Sequence, residues 1–151
     1  MTEKSVFSRV VFSSTSPHWK TPAGLYKTLD AEFHFDDDPC PINGEGGLDR
    51  PWGRSAYVNP PYGKPITKWL QKAIYENSLG KTVVMLLPAR TDTVWFHEFA
   101  LPCAHEVRFV LGRLKFNGSK NSAPFPSLIL IFCGRRGRIG RAKGEEDDTG
   151  T

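Results

Sequence analysis

Apolar positions along this chain fall into helical stripes and short continuous runs, separated by breaks rich in glycine and proline. In TPAGLYKTLDAEF, Leu25, Tyr26, Leu29 and Phe33 recur at helical spacing, which predicts a helix with Thr21 as its N-cap and Pro22 at the first helical position. FHFDDDPC follows as a short strand running into three acids, and PINGEGGLDRPWGR reads as loop. SAYVN is a short buried strand that stops at a double proline. PITKWLQKAIYENSLGK predicts a second helix between Pro65 and Gly80, burying Ile66, Trp69, Leu70, Ala73 and Ile74. TVVMLL is apolar throughout, the pattern of a strand covered on both faces. A third helix is expected in TDTVWFHEFA, starting near Thr91 or Asp92. Two strands, HEVRFVLGRLKFNG and PSLILIFC, are joined by the polar loop SKNSAP.

Strands alternating with helices predict an α/β domain with a mainly parallel sheet, closed by a C-terminal antiparallel strand pair. Ligands of such sheets sit at the carboxyl ends of the strands, where DDDPCP, NPPYG and PARTD fall. The pattern divides the chain into an N-terminal arm (residues 1–20, with one short strand at RVVF), a domain over 21–134, and a charged tail over 135–151 that offers nothing to bury.

Length and charge narrow the class. The chain has 151 residues, enough for one domain with a proper core, and a net charge of +4, a mild lean towards polyanions. The tail has five basic and four acidic side chains, so most of the basic excess belongs to the domain. No apolar run reaches membrane-spanning length and the N-terminus lacks a secretion-signal layout, so a cytoplasmic protein with no membrane partner is expected. Cys40, Cys103 and Cys133 are too few and too scattered for a disulfide framework or a zinc site, and no metal is expected.

The chemistry concentrates in VNPPYGKP, residues 58–65. Two adjacent prolines fix two φ angles and remove two backbone donors, making a stiff loop. The Asn59 side-chain carbonyl and the Pro60 backbone carbonyl form a pair of acceptors, which matches the two hydrogens of an amino group. Bonding both hydrogens draws the nitrogen lone pair out of conjugation and makes it a usable nucleophile. Tyr62 offers a ring to stack on the planar ring that carries the amine.

Six segments in order, TPAGLYKTLDAEF, FHFDDDPCP, NPPYG, VVMLLPART, GRLKF and APFPSLILIF, resemble the phage-type DNA N-6-adenine methyltransferases, the Dam-like group. The likeness spans roughly Lys20 to Cys133. It implies a Rossmann-like S-adenosylmethionine-dependent methyltransferase fold and transfer of a methyl group to the N6 amine of adenine in DNA. It implies that Asn59 and the Pro60 carbonyl hold the amine, that Pro61 fixes the turn and that Tyr62 stacks on the base. Thr21 and Pro22 are similar to the family's first cofactor motif. Asp38 is similar to the acid that opens its cofactor loop, with Asp36 or Asp37 able to share that role, Asp49 nearer the adenosyl end, and Asn59 also facing the cofactor. The chain departs from the family in one place: CPINGEGG stands where many relatives have G-x-G, with Gly44, Gly46 and Gly47 as its stand-ins.

A base inside the duplex cannot reach a buried cofactor, so the resemblance also implies a flipped-out adenine. Arg90, Arg113, Lys115 and Lys120 lie in or beside the loops at the expected active edge and are the candidates for phosphate contact. Trp95 and Phe116 are expected in the core, while APFPS is expected to wall the base pocket. Two other readings stay open at this point. One keeps the loop and changes the amine to cytosine N4, RNA adenine or a protein glutamine. The other is an inactive descendant that binds nucleic acid only.

Overall fold

The structure is a computed structural model and describes residues 20–41, 46–116 and 120–133. The expected N-terminal arm with its RVVF strand, Gly44 and the charged tail lie outside the described residues. The elements in chain order are α1 (Ala23–Phe33), β1 (Ser55–Val58), α2 (Ile66–Ser78), β2 (Thr82–Pro88), a wide π-helical turn (Phe96–Ala100) continuing into α3 (Leu101–Cys103), β3 (Glu106–Phe109) and β4 (Ser127–Phe132).

The sheet order is β1-β2-β4-β3. β1 and β2 pair in parallel, whereas β4 pairs antiparallel with both β2 and β3. The expected mainly parallel sheet is therefore corrected to a mixed sheet whose named ladders are mostly antiparallel. The reason lies in the last connection. β3 points the same way as β1 and β2, but β4 returns from it directly and takes the slot between β3 and β2, so both of its ladders are antiparallel. The predicted C-terminal antiparallel pair is present. FHFDDDPC is not a full strand: it adds a single parallel bridge, Asp37 to Ala56, with Asp36 N–H bonded to the Ser55 carbonyl at 2.9 Å and Tyr57 N–H to the Asp37 carbonyl at 3.0 Å.

Three boundaries move for local reasons. α1 begins at Ala23 with Pro22 in the capping position and no side-chain cap, because the Thr21 hydroxyl is engaged with Tyr57 instead. The third helix starts after Thr93, whose hydroxyl accepts the Phe96 N–H at 3.3 Å, rather than at Thr91 or Asp92. β3 stops at Phe109, well short of the predicted strand, and the chain soon turns at Gly112 with φ +74°. α2 follows expectation, opening at Pro65 and closing before Gly80 at φ +91°, although Ile74 is only half-buried and Glu76 is fully buried in its place.

Sheet register sorts the side chains into two faces. Tyr57, Val84, Ile131 and Ile129 share a face with Glu106 and Arg108. α1 lies on this side: Tyr26 meets Tyr57 edge-on, and Glu32 grips Arg108 through two bonds of 2.8 and 2.7 Å. Val58, Met85, Leu87, Leu128 and Leu130 point the other way. Every residue of β2 from Val83 to Pro88 is buried, as the continuous apolar run predicts. Trp95 and Phe116 are in the core.

Buried Glu76 ties the loop before β1 to the sheet. Its carboxylate takes the Trp52 N–H at 3.0 Å, Lys81 at 2.6 Å and Lys72 at 2.9 Å. Burial pushes its pKa up, but the two ammonium groups and the backbone donor outweigh that and hold it below the usual value. Trp52 then stacks on Trp69 of α2 and donates its indole N–H to the Gly47 carbonyl at 2.6 Å.

Candidate active site

The Asp37 bridge, β1, β2 and β3 all run in one direction and β4 runs against them, so one edge of the sheet collects the segments after Asp37, Val58, Pro88 and Phe109 together with the segment before Ser127. The three loops expected at a ligand edge, DDDPCP, NPPYG and PARTD, are all on it, joined by the β3–β4 connection. Ala89 N–H bonds the Pro126 carbonyl at 2.8 Å and Val110 N–H bonds the Ser127 carbonyl at 3.1 Å, which holds these loops to one another.

Asn59 follows β1 directly. Its Nδ2 donates to Thr21 Oγ1 at 3.3 Å, and the same Oγ1 lies 2.6 Å from the Tyr57 phenol oxygen. Pro60 is buried and Pro61 half-buried. Tyr62 is 8% exposed and meets Phe125 edge-on at 5.5 Å, with Phe116 packed behind Phe125 at 6.2 Å. APFPS thus supplies a wall beside Tyr62. Burial raises the Tyr62 phenol well above its ordinary value, so the ring stays neutral.

The three aspartates have different surroundings. Asp36 accepts the Ser55 N–H at 3.0 Å and the Arg54 N–H at 3.2 Å, which fastens the start of β1. Asp37 accepts two bonds of 2.8 Å from Arg50 and a third of 2.8 Å from Gly53 N–H. The Arg50 bond holds the Asp37 carboxyl below the usual range against the opposing effect of burial. Asp38 is exposed and makes no ion pair among the described residues. Partial desolvation and the neighbouring Asp37 charge raise its pKa, partly offset by a bond from the Cys40 N–H.

Arg50 also draws the loop of residues 46–53, with exposed Asp49, against the aspartates. Two glycines permit the approach. A Cβ at Gly47 would lie 2.0 Å from the Pro39 carbonyl oxygen, and one at Gly53 would lie 2.4 Å from an Asp36 carboxylate oxygen. Arg90, Arg113, Lys115 and Lys120 are exposed, and none makes an ion pair among the described residues. No group of three or more His, Cys, Asp or Glu side chains among the described residues is placed to hold a metal ion, and no described helix is long and apolar enough to cross a membrane. No disulfide joins the cysteines, and burial, with the Asp38 charge, pushes the Cys40 thiol up to about 12.

Sequence reasoning passed over Tyr57, Arg50, Gly53 and Glu76. Tyr57 carried a signal, since it stands two residues before Asn59 on the same strand face. Arg50 and Gly53 carried none, because their partners are 13 and 16 residues away across a loop.

The family described as DNA N-6-adenine-methyltransferase (Dam) matches residues 11–138, most of the chain. The chain belongs to that family. A DNA N-6-adenine-methyltransferase of Haemophilus phage HP1 (strain HP1c1) is 27% identical over 135 residues, covering 76% of this chain and 77% of the phage protein. No solved structure gives a significant match. As a member of the Dam family the chain is an adenine-specific DNA methyltransferase, acting at N6. Family membership favours adenine N6 over the alternative amines and an enzyme over the binding-only reading, and it agrees with the resemblance carried by the six segments.

Proposed function

We propose that this Dam-family chain uses S-adenosylmethionine as methyl donor, holds it with Asp38, Thr21 and Pro22, and presents the adenine amine to it with Asn59 to Tyr62 in a Rossmann-like domain. One observation carries the reading: the Asn59–Thr21 hydrogen bond joins the element expected at the cofactor to the residue expected at the amine, 38 positions apart in sequence.

The residues fit that donor. Asp38 is a carboxylate at the carboxyl end of a sheet segment, partly desolvated and in no ion pair among the described residues, which suits a ligand bearing an ammonium and a sulfonium. Asp36 and Asp37 support it by fixing β1 and the 46–53 loop, which carries Asp49. The cofactor supplies an electrophilic methyl group. The chain does the rest by orientation and by two acceptors. The Asn59 and Pro60 carbonyls take the two amine hydrogens and free the lone pair, Pro61 holds the turn, and Tyr62, set in plane by Phe125, packs on the flipped base. Arg90, Arg113, Lys115 and Lys120 contact phosphates of duplex DNA. A thiol held at about 12 is not a nucleophile at neutral pH, which agrees with direct transfer.

Incubation with methyl-labelled S-adenosylmethionine and unmethylated duplex DNA, followed by digestion to nucleosides, tests this reading. Label in N6-methyl-2′-deoxyadenosine that collapses in Asn59→Ala is expected. Label in N4-methylcytosine, or full labelling by Asn59→Ala, would contradict it.

A further inference from the structure

Tyr57 is 2% exposed, and its ring is held on two sides, edge-on by Tyr26 at 5.1 Å and tilted by Phe35 at 5.4 Å. A phenylalanine would fill that space equally well. What the hydroxyl adds is a bond of 2.6 Å to Thr21 Oγ1, the atom that accepts the Asn59 amide at 3.3 Å. A buried phenol with such a partner is a fixed point, since moving it would strand a polar group away from water.

We propose that Tyr57 and Thr21 are positioning residues that decide which way round the Asn59 amide stands. The inference rests on the assignment of Asn59 to the adenine amine. A carboxamide presents a donor on one side and an acceptor on the other, and rotation by half a turn exchanges them. If Thr21 donates its proton to the phenol oxygen, it can only accept from the amide. Nδ2 is then held at Thr21 and the carbonyl oxygen is turned to the opposite side, where an amine needs an acceptor. The reversed amide would set its own N–H groups against those of the substrate, donor against donor. The chain from phenol to hydroxyl to amide therefore biases the loop towards the orientation that can grip an amine. Thr21 opens the segment assigned to the cofactor, so the same bond couples the placement of the two substrates.

The test is steady-state kinetics on Tyr57→Phe, Thr21→Val and Thr21→Ser beside the wild type, with thermal melts to establish folding. Tyr57→Phe keeps the ring and removes the hydroxyl, and kcat is expected to fall on the order of tenfold with KM for cofactor and DNA nearly unchanged. Thr21→Ser keeps the hydroxyl and is expected to retain most of the wild-type kcat, while Thr21→Val loses it. The double variant Tyr57→Phe/Thr21→Val is expected to be no slower than the worse single variant, because both cut one chain. A folded Tyr57→Phe with wild-type kcat overturns the proposal; should that variant not fold, wild-type kcat in Thr21→Val does so. Asn59→Ala separates the two levels. If Asn59→Ala is inactive and Tyr57→Phe is normal, only the positioning chain fails; if Asn59→Ala transfers normally, the assignment of Asn59 fails first.

Discussion

Asp36, Asp37 and Asp38 share one chemistry and differ only in what their neighbours demand of them. Two are consumed in holding backbone and Arg50, and the third stands at the edge with a raised pKa. A carboxyl raised by desolvation gives up part of its charge at a higher pH than an ordinary aspartate. If ionised Asp38 pairs with the cofactor, affinity weakens as pH falls through that raised value, at a higher pH than an ordinary aspartate would give. Asp38→Asn is expected to weaken cofactor binding by about tenfold or more at neutral pH and to flatten this dependence, as read by calorimetric titration across pH. Asp37→Asn is expected to act differently, lowering the melting temperature by loosening the 46–53 loop. At this scale the sequence was informative about residue type and blind to partners. N-P-P-Y announces a stiff loop through two fixed φ angles, with an amide beside it. Nothing local distinguishes three consecutive aspartates, because Arg50 and the Gly53 N–H reach them only after the loop has folded back.

Glu76 shows the same limit at the scale of an element. α2 was legible from its stripe and from Pro65 and Gly80, yet its most deeply buried polar residue falls where the pattern predicts a solvated one. Two lysines and a backbone N–H pay its desolvation, and they make it the joint between α2, β2 and the loop before β1. Glu76→Gln is expected to cost about 2 kcal/mol, the scale of charged hydrogen bonds with part of the lysine charge left to solvent. Because the folded pKa is lowered, this stabilisation is present above the ordinary glutamate value and is lost as pH falls through the folded one. The gap in melting temperature between wild type and Glu76→Gln is therefore expected to be full at neutral pH and to close below about pH 4. Strand direction was the harder matter. The crossover through α2 makes β1 and β2 parallel, as helix–strand alternation predicts. The insertion of β4 between β2 and β3 depends on a return across sequence that no periodicity records.

Across the whole molecule the consequence of that insertion is mild, because β4 alone runs backwards and the carboxyl ends of β1, β2 and β3 still meet at one edge. The NPPYG loop, Asp38 and the loops carrying the exposed cations therefore share a rim even though the sheet is mixed. If Arg90, Arg113, Lys115 and Lys120 each neutralise a phosphate, replacing any one by alanine reduces the slope of log K for DNA against log salt by about 0.9. A residue whose removal leaves the slope unchanged is a solvated surface charge, and equilibrium binding at several salt concentrations sorts the four. The proposed transfer turns on Asn59. Single-turnover methyl transfer by Asn59→Ala, with cofactor binding measured on the same protein, tests it most directly. The prediction is a transfer rate reduced about 10²- to 10³-fold, the scale seen when one preorganised polar group is removed from a reacting centre, with a far smaller loss of cofactor affinity. Transfer by Asn59→Ala at the wild-type rate would mean that the amine is held elsewhere.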